Sequence, residues 1–266
     1  MAAKFILISP ATRGISLALT RHYLQHTTLP VYATHRSSHP EQVRGEMLRS
    51  EEGRLLDVDP SRLHLLRLDL SSEADIEAGA KTLLEMTKEN GHSHVHTVFL
   101  TGGMLNAERR PEDLDATIIH DTFNLNVISH LLMIKHFSRF LPQSSSKFPA
   151  NAEDIAKWVH ISARVGSISD NRLGGWYSYR ASKAALNQVI RTFDLHLKAK
   201  KIPAISIGVH PGTVKTDLSK PFWEGVEEGK LFSPEFAAER LVQVVGNTEP
   251  KQRGKVWDWA GVEVPP

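Results

Sequence analysis

The stretch KFILISPATRGIS, residues 4–16, joins an apolar run to a turn with one glycine and then to a helical pattern. The run Phe5 to Ile8 has no polar face, which is typical of a strand buried on both sides of a sheet. A strand that turns straight into a helix directs free backbone N–H groups and the positive end of the helix dipole at an anion. The stretch therefore predicts a phosphate-binding turn around Gly14, with Pro10 standing where a glycine usually permits close approach.

Similar β-rich runs recur along the whole chain, and helical patterns fall between them. The runs are Lys4–Ser9, Pro30–Thr34, Leu63–Leu68, Val95–Leu100, Lys157–Ile161, Ala204–Val209 and Lys255–Trp257. Strands that alternate with helices and are apolar on both faces indicate a parallel sheet covered on each side. The sequence therefore predicts an α/β fold of the Rossmann type, a doubly wound parallel sheet, with residues 1–266 in a single domain.

Two segments interrupt this alternation of strands and helices. Residues 141–154 are rich in proline, serine and asparagine, so we interpret them as a surface insertion before a strand. Residues 217–233 combine Pro221, Phe222 and Trp223 with two glycines. That mixture suits a substrate lid and a plain surface loop equally well.

Composition excludes several classes of protein. The chain has 266 residues, 41% hydrophobic and 23% charged, with a formal net charge of +2, so the sequence gives no indication of a polybasic nucleic-acid-binding surface. It has no cysteine, which excludes disulfides, a thiolate nucleophile and a zinc-thiolate site. His92, His94 and His96 alternate as strand residues do, and no metal site is expected there. Because no apolar stretch reaches about 18 residues, we expect a soluble, cytoplasmic protein without a membrane span.

Charge around the first turn indicates the type of nucleotide. A site for NAD needs an acidic residue after the second strand, where it binds the ribose 2′-hydroxyl. Here that strand ends in Ala33-Thr34-His35-Arg36, without an acid. Arg13 and Arg36 can instead bind a 2′-phosphate through charge-assisted hydrogen bonds, which favours NADP(H). The alternative is that both are solvated surface arginines.

A tyrosine and a lysine open the longest helical pattern. Tyr179 and Lys183 are four residues apart, so their side chains share one face of a helix. An ammonium close to a phenol favours the phenolate and lowers the pKa of the tyrosine towards the range of an acid/base catalyst. The pair therefore predicts proton transfer to or from a carbonyl or alcohol, unless both are ordinary exposed helix residues.

Taken together, the motifs resemble those of the short-chain dehydrogenase/reductase family over essentially the whole chain. They are the Gly14 turn, Asp69-Leu70, Thr101-Gly102-Gly103, Asn126-Val127, Ser162, Tyr179 with Lys183, and Pro211-Gly212-Thr213-Val214-Lys215-Thr216. The stretch from Ser162 through Asn187 is most similar to C-factor-like carbonyl reductases. The chain departs from the family pattern where Pro10 and Ser16 replace glycines, and where Leu100-Thr101-Gly102-Gly103 replaces Asn-Asn-Ala-Gly.

The resemblance implies a role for each matching residue. Tyr179 would be the general acid/base, Lys183 would bind the nicotinamide ribose and tune Tyr179, and Asn126 would hold a water that relays protons to Lys183. The adenine would meet Asp69 and Leu70. The full set of residues implied to bind NADP is Ser9, Arg13, Gly14, Ile15, Arg36, Asp69, Leu70, Gly102, Gly103, Tyr179, Lys183, Pro211, Gly212, Val214 and Thr216.

The family also places a serine hydroxyl beside the tyrosine, where it stabilises charge on the substrate oxygen. If Gly166 anchors the alignment, this serine position falls on Ala163, which has no hydroxyl. Ser162 or Ser167 must then serve, or neither does. We assign Ser162, because it ends a strand and is rigidly placed, whereas Ser167 begins a loop.

Two functions from different classes follow. The first is an NADP(H)-dependent oxidoreductase that transfers a hydride between the nicotinamide and a small carbonyl or alcohol substrate, with Tyr179 handling the proton. The second is a catalytically weak or inactive nucleotide-binding regulatory or signalling protein on the same fold. The retained Tyr179, Lys183, Asn126 and a nearby serine favour the enzyme.

The segment Phe123 to Leu141 indicates whether the protein forms an oligomer. The segment has more apolar residues than a helix needs when only one of its faces packs against the core of its own subunit. We therefore expect part of it to pack, together with the Tyr179 helix, against a second subunit in a homodimer or higher homo-oligomer. The alternative is burial within one thick subunit.

Overall fold

The computed structural model describes residues 3–145, 151 and 154–266. The strands are β1 Ala3–Ser9, β2 Val31–His35, β3 Leu63–Arg67, β4 His92–Leu100, β5 Ala156–Ile161, β6 Ala204–His210, β7 Thr213–Val214, β8 Leu231–Phe232, β9 Val256–Asp258 and β10 Glu263–Val264. The helices are α1 Gly14–His26, α2 Pro40–Met47, α3 Glu73–Glu89, α4 Ala116–Phe123, α5 Ser129–Phe137, α6 Tyr177–Ala199 and α7 Pro234–Gly246.

The main sheet has eight strands in the order β10-β9-β6-β5-β4-β1-β2-β3. All neighbours in it pair in parallel except β10, which runs antiparallel to β9 at the edge. The prediction of a single-domain, doubly wound Rossmann-type fold is thereby confirmed. The strand order reverses between β1 and β4, and in open α/β sheets the crevice at such a reversal is where ligands bind.

Alternating residues of β1 show why the strand is apolar throughout. Ile6 and Ile8 belong to the core beneath α1 and α7, whereas Phe5 and Leu7 belong to the core beneath α3, α5 and α6. All four side chains are at most 1% exposed. Burying such a side chain contributes about 1.5–3 kcal/mol, so a polar residue at any of these positions would disrupt one of the two layers.

The predicted helix around Phe123–Leu141 is interrupted in the structure. A π-helical turn, Asn124–Ile128, separates α4 from α5. π-turns inside helices are frequent at functional sites. This one contains Asn126, which is fully buried and contributes to the site described below.

The two segments that interrupt the alternation of strands and helices differ in how far the structure describes them. Residues 146–150 and 152–153 of the expected insertion lie outside the described residues. The expected lid, 217–233, contains the 3-10 helix Lys220–Gly225 and strand β8, which pairs with β7. Across the described ranges no helix is long and apolar enough to cross a bilayer, and no three His, Asp or Glu side chains are grouped to hold a metal ion.

Candidate active site

At the base of the crevice where the strand order reverses, hydrogen bonds that involve hydroxyl groups connect the ends of the strands. The Thr34 hydroxyl of β2 donates to Ser9 Oγ at 2.9 Å. Thr101, just after β4, donates its backbone N–H to Ser9 O at 2.8 Å and its hydroxyl to Pro10 O at 2.8 Å. The ends of β1, β2 and β4 are therefore tied together directly beneath the turn that leads into α1.

The turn after β1 brings α1 close to the segment after β6. Gly14 has φ +53°, a conformation that L side chains rarely adopt, and a Cβ there would lie 3.0 Å from Thr216 Cγ2. The Ser16 hydroxyl donates to Arg13 O at 3.1 Å, so this departure from the family glycine is absorbed within the helix itself. The Arg13 side chain does not cap α1, which leaves the first backbone N–H groups of the helix available to an anion.

Both candidate phosphate-binding arginines line one open depression of about 580 Å³. Ser37 and Ser38 line it too, and they also line a neighbouring depression together with Arg67. Sequence reasoning missed these two serines, although two hydroxyls directly after Arg36 are a signal for a phosphate site. Two guanidinium groups with two hydroxyls form a donor set suited to a phosphate monoester.

Asp69 and Leu70 follow β3, where Asp69 is within reach of the Arg36 charge and Leu70 lies against Gly102. Hydrogen bonds from the Ser71 hydroxyl and the Ser71 backbone N–H, together with the charge of Arg36, lower the pKa of Asp69. A Cβ on Gly102 would approach Leu70 Cδ1 to 2.6 Å, so the two residues touch. Glycine at 102 therefore lets Leu70 pack directly against the backbone of this turn, where any side chain would displace it.

Gly103 is the point at which the proposed catalytic groups converge. A Cβ at this position would lie 3.5 Å from Asn126 Oδ1 and 3.6 Å from Lys183 Nζ. Lys183 Nζ donates to Ile161 O at 2.9 Å and stands 5.7 Å from the centroid of the Tyr179 ring. The structure thus brings Asn126, Lys183 and Tyr179 together at the crevice.

The electrostatics of the pair differ from the sequence expectation. Burial raises the pKa of Tyr179 to about 12 and lowers the pKa of Lys183 to about 8. Lys183 was expected to lower the pKa of Tyr179, but its ammonium is directed at Ile161 O and lies over the ring, so desolvation dominates. Burial therefore favours the neutral form of the phenol.

Asn126 is fully engaged with the protein. Its Oδ1 accepts from the Met104 backbone N–H at 2.8 Å, and its Nδ2 donates to Met104 O and to the Ser182 hydroxyl, each at 2.9 Å. Ser182 in turn donates to Tyr179 O at 2.8 Å. Asn126 therefore fastens the segment after Gly103 to the first turn of α6, and its predicted water relay stays a prediction.

Neither candidate serine is hydrogen-bonded to Tyr179 in the described part of the chain. The Ser162 hydroxyl donates to Asn187 Oδ1 at 2.6 Å, on α6. The Ser167 hydroxyl donates to Pro266 O at 3.1 Å. Ala163, the position that Gly166 aligns with the family serine, is buried and offers no hydroxyl. A role for Ser162 at the substrate would require its hydrogen to leave Asn187, so its assignment also stays a prediction.

Comparing Ser162→Ala with Ser167→Ala tests that assignment. Ser162→Ala is expected to lower kcat more than Ser167→Ala does and to leave NADPH affinity unchanged. It also removes the hydroxyl that donates to Asn187 on α6. Ser167→Ala is expected to have a modest effect. Steady-state kinetics with fluorescence titration of NADPH provides the measurement. The reverse ranking would move the role to Ser167, and full activity in both variants would contradict any serine partner.

Gly166 serves as an alignment anchor in the sequence, and in the structure it also has a packing role beside Lys183. A Cβ at Gly166 would lie 2.7 Å from Lys183 Cβ and 2.8 Å from its carbonyl carbon, which real atoms do not approach. The loop after β5 can therefore pack on α6 at Lys183 only because this residue has no side chain.

Gly166→Ala is accordingly expected to destabilise the protein by about 1–3 kcal/mol and to weaken NADPH binding, since either the loop or Lys183 must move. The control is Gly246→Ala, at a position where a Cβ meets nothing within 4 Å. Chemical denaturation and NADPH titration of both variants provide the measurement. Equal stability of the two variants would contradict the close packing.

A buried pair of histidines lies next to this centre and was not anticipated. His130 Nδ1 and His160 Nδ1 are 2.8 Å apart, and His130 Nε2 lies 3.4 Å from Gly102 O. Because a carbonyl only accepts, His130 donates from Nε2 and must accept from His160 at Nδ1. Burial, with the neighbouring positive charge of Lys183, lowers the pKa of both rings, that of His130 to about 3. The pair is thus neutral and links the Gly102 turn to β5.

The segment after β6 closes the crevice on its last side. Gly212 has φ +77°, and a Cβ there would lie 2.6 Å from the Phe232 ring. Val214 in β7 is buried and pairs with Phe232 of β8. Pro211 through Thr216 therefore runs from the end of β6 to the turn at Gly14, across the predicted nicotinamide end of the site.

Comparisons with known proteins agree with this geometry. A family model described as short chain dehydrogenase matches residues 4–227. The chain is 30% identical over 188 residues to 1-hydroxy-2-glutathionyl-2-methyl-3-butene dehydrogenase of Rhodococcus sp. (strain AD45), covering 71% of this chain and 74% of that protein. It is 28% identical over 153 residues to C-signal of Myxococcus xanthus, covering 58% and 81%. The NADPH-bound carbonyl reductase from chicken fatty liver shares the fold, with a TM-score of 0.78 over 100% of both chains at 22% identity.

Proposed function

Because the chain belongs to the short-chain dehydrogenase family, an oxidoreductase family, we propose that it reduces an aldehyde or ketone with NADPH, or catalyses the reverse oxidation. The observation that carries this proposal is the approach of Asn126 and Lys183 to Gly103 at the strand reversal, with the Tyr179 ring beside Lys183. The nicotinamide supplies or accepts the hydride when it is bound. The protein's own contribution is placement and proton transfer.

The proposed cofactor is NADP rather than NAD. Arg13 and Arg36 share one depression with Ser37 and Ser38, and the Asp69 carboxylate accepts from Ser71. The carbonyl reductase from chicken fatty liver, which has a related fold, contains bound NADPH in its crystal structure. The glycines at 14 and 102 let Thr216 and Leu70, two further residues that we propose bind the cofactor, pack directly against the turns after β1 and β4.

Tyr179 is the proposed proton donor. A phenol with a pKa near 12 is protonated at neutral pH and can donate to a carbonyl oxygen in the direction of reduction. Lys183, at the same crevice, is proposed to bind the nicotinamide ribose and to favour the phenolate left after transfer. Asn126 holds the backbone of Met104 against α6 and so keeps this end of the crevice in place.

The first experiment is a screen of NADPH consumption over aldehydes, ketones and quinones, run in parallel with NADH. NADPH-dependent turnover of at least one carbonyl class is expected. Binding of NADPH without turnover of any class would instead favour the second candidate, a nucleotide-binding signalling protein. The observation behind that candidate is the alanine at position 163, beside two serines whose hydroxyls are engaged elsewhere.

A homodimer is part of the same proposal. Much of the apolar segment Phe123–Leu141 is buried within the subunit, but Ile128 and Leu131 remain 45% and 47% exposed. Leu195 on α6 is also 47% exposed. Apolar side chains exposed on both helices are consistent with a two-fold contact.

Leu131→Lys is therefore expected to convert a dimer into monomers, because the contact would have to bury a charge. Leu55→Lys is the matched control, since Leu55 is 71% exposed and lies on neither helix. Light scattering at micromolar concentration provides the measurement. Unmodified protein that is monomeric under these conditions would contradict the dimer.

A further inference from the structure

Trp176 stands between the catalytic tyrosine and the segment expected to form a lid. Its ring centroid lies 6.2 Å from that of Tyr179, with the planes at 70°, and 4.9 Å from that of Phe222, at 48°. Phe222 belongs to the 3-10 helix Lys220–Gly225. The indole therefore joins the start of α6 to the segment 217–233 directly beside the phenol.

The backbone holds Trp176 in an unfavourable conformation. Trp176 has φ +51° and ψ +48°, and it follows Gly174 and Gly175, both with φ +65°. For a residue with a side chain this left-handed region is strained, whereas glycine adopts it readily. A third glycine would make the same turn at no cost, so a large ring kept there indicates that its position is used.

Specific hydrogen bonds maintain this turn. The Trp176 backbone N–H donates to Glu108 O at 2.6 Å, and the Ser178 hydroxyl donates to the buried Glu108 carboxylate. Arg180 Nε donates to Gly174 O at 3.1 Å and Gly175 O at 3.0 Å. The backbone of Trp176 is thus held from both sides of the turn by residues outside the lid segment.

The rings of Trp176 and Phe222 are not packed into the protein core. Trp176 and Phe222 are only half-buried, and among the described residues neither belongs to a buried core cluster. The neighbouring Trp223 differs, because its Nε1–H donates to Ser219 Oγ at 2.9 Å within the lid segment. Leu173 and Leu218, in the same two segments, are 92% and 41% exposed. The approach to Tyr179 is therefore apolar and offers two aromatic rings.

We propose that the touching rings of Trp176 and Phe222 form one wall of a slot for the substrate beside Tyr179, and that this wall selects carbonyl compounds with an aromatic ring next to the reacting carbon. A flat ring can pack edge-to-face or offset against both side chains while its carbonyl oxygen reaches Tyr179. An alkyl chain of similar size gains only the apolar contact. Trp176 is then the residue that determines specificity, and Glu108 is a positioning residue that holds it. This inference rests on the proposed reductase function.

The test compares benzaldehyde with hexanal as substrates, using NADPH. Unmodified protein is expected to show a kcat/KM at least about tenfold higher for benzaldehyde. Trp176→Ala and Phe222→Ala are each expected to remove most of that preference through KM for benzaldehyde, while hexanal changes by no more than about twofold. Tyr177→Ala, at a neighbouring ring that is 42% exposed, is the matched control and is expected to keep the preference.

Two further variants distinguish loss of the substrate preference from loss of folding stability. Trp176→Gly removes the ring but relieves the backbone strain, so it is expected to lose the preference without loss of thermal stability. Trp176→Phe retains a ring and is expected to restore part of the preference. An unchanged ratio in Trp176→Gly, or no preference in the unmodified protein, would overturn the slot alone. Failure to consume NADPH with either aldehyde, or with any carbonyl class in the screen, would overturn the proposed function and the slot with it.

Discussion

Tyr179→Phe is expected to reduce turnover by about 10²-fold to 10⁴-fold, the usual contribution of a positioned general acid. The substitution keeps the ring that packs against Trp176 and removes only the hydroxyl whose pKa burial raises to about 12. Steady-state kinetics of NADPH oxidation with a carbonyl substrate provides the measurement.

NADPH binding should persist in this variant, because the substitution leaves unchanged Arg13 and Arg36, which line the depression proposed to bind the 2′-phosphate. Fluorescence titration of NADPH tests this half of the prediction. Tyr177→Phe, two residues earlier on the same helix, is the control and should retain full turnover. Substantial residual turnover in Tyr179→Phe would contradict the assigned role.

Arg36→Ala should weaken the binding of NADPH far more than that of NADH. Removing one charge-assisted hydrogen bond to a phosphate costs about 1.5–3 kcal/mol, which corresponds to a roughly 10-fold to 150-fold rise in Kd for NADPH. The Kd for NADH should change little, since NADH has no 2′-phosphate. Calorimetric titration with both cofactors provides the measurement.

The control for Arg36→Ala is Arg139→Ala, which removes an exposed arginine from the end of the α5 region. It should leave both affinities unchanged. Arg13→Ala should repeat the pattern of Arg36→Ala, because both guanidinium groups line the same depression. Equal affinity of the unmodified protein for NADPH and NADH would contradict this part of the proposal.

The main sheet was predictable because burial on both faces leaves continuous apolar runs. The seven expected strands correspond to β1–β6 and β9, with ends that differ by up to three residues, as at His92 in β4. Strands β7, β8 and β10 were missed because two residues carry no periodicity. They are fixed by their pairing partners, as Val214 is by Phe232 and Val264 by Val256.

Within the site, motif spacing predicted the residues that share an element, such as Tyr179 and Lys183. It could not predict relations that depend on packing between elements. The direction of the pKa shift at Tyr179 depends on burial and on Ile161 O accepting from Lys183. The bond from Ser162 to Asn187 and the left-handed backbone of Trp176 likewise depend on how the loop after β5 meets α6.

Hydride transfer to the substrate is the central claim, and isotopic labelling tests it most directly. Unmodified protein would be incubated with NADPH deuterated at the transferring C4 position and with a carbonyl substrate found in the screen. The account predicts one deuterium on the carbinol carbon of the alcohol product by mass spectrometry, and at least about 10²-fold less of this product in the same time with Tyr179→Phe. An alcohol without deuterium, or tight NADPH binding with no labelled product from any carbonyl class, would contradict it.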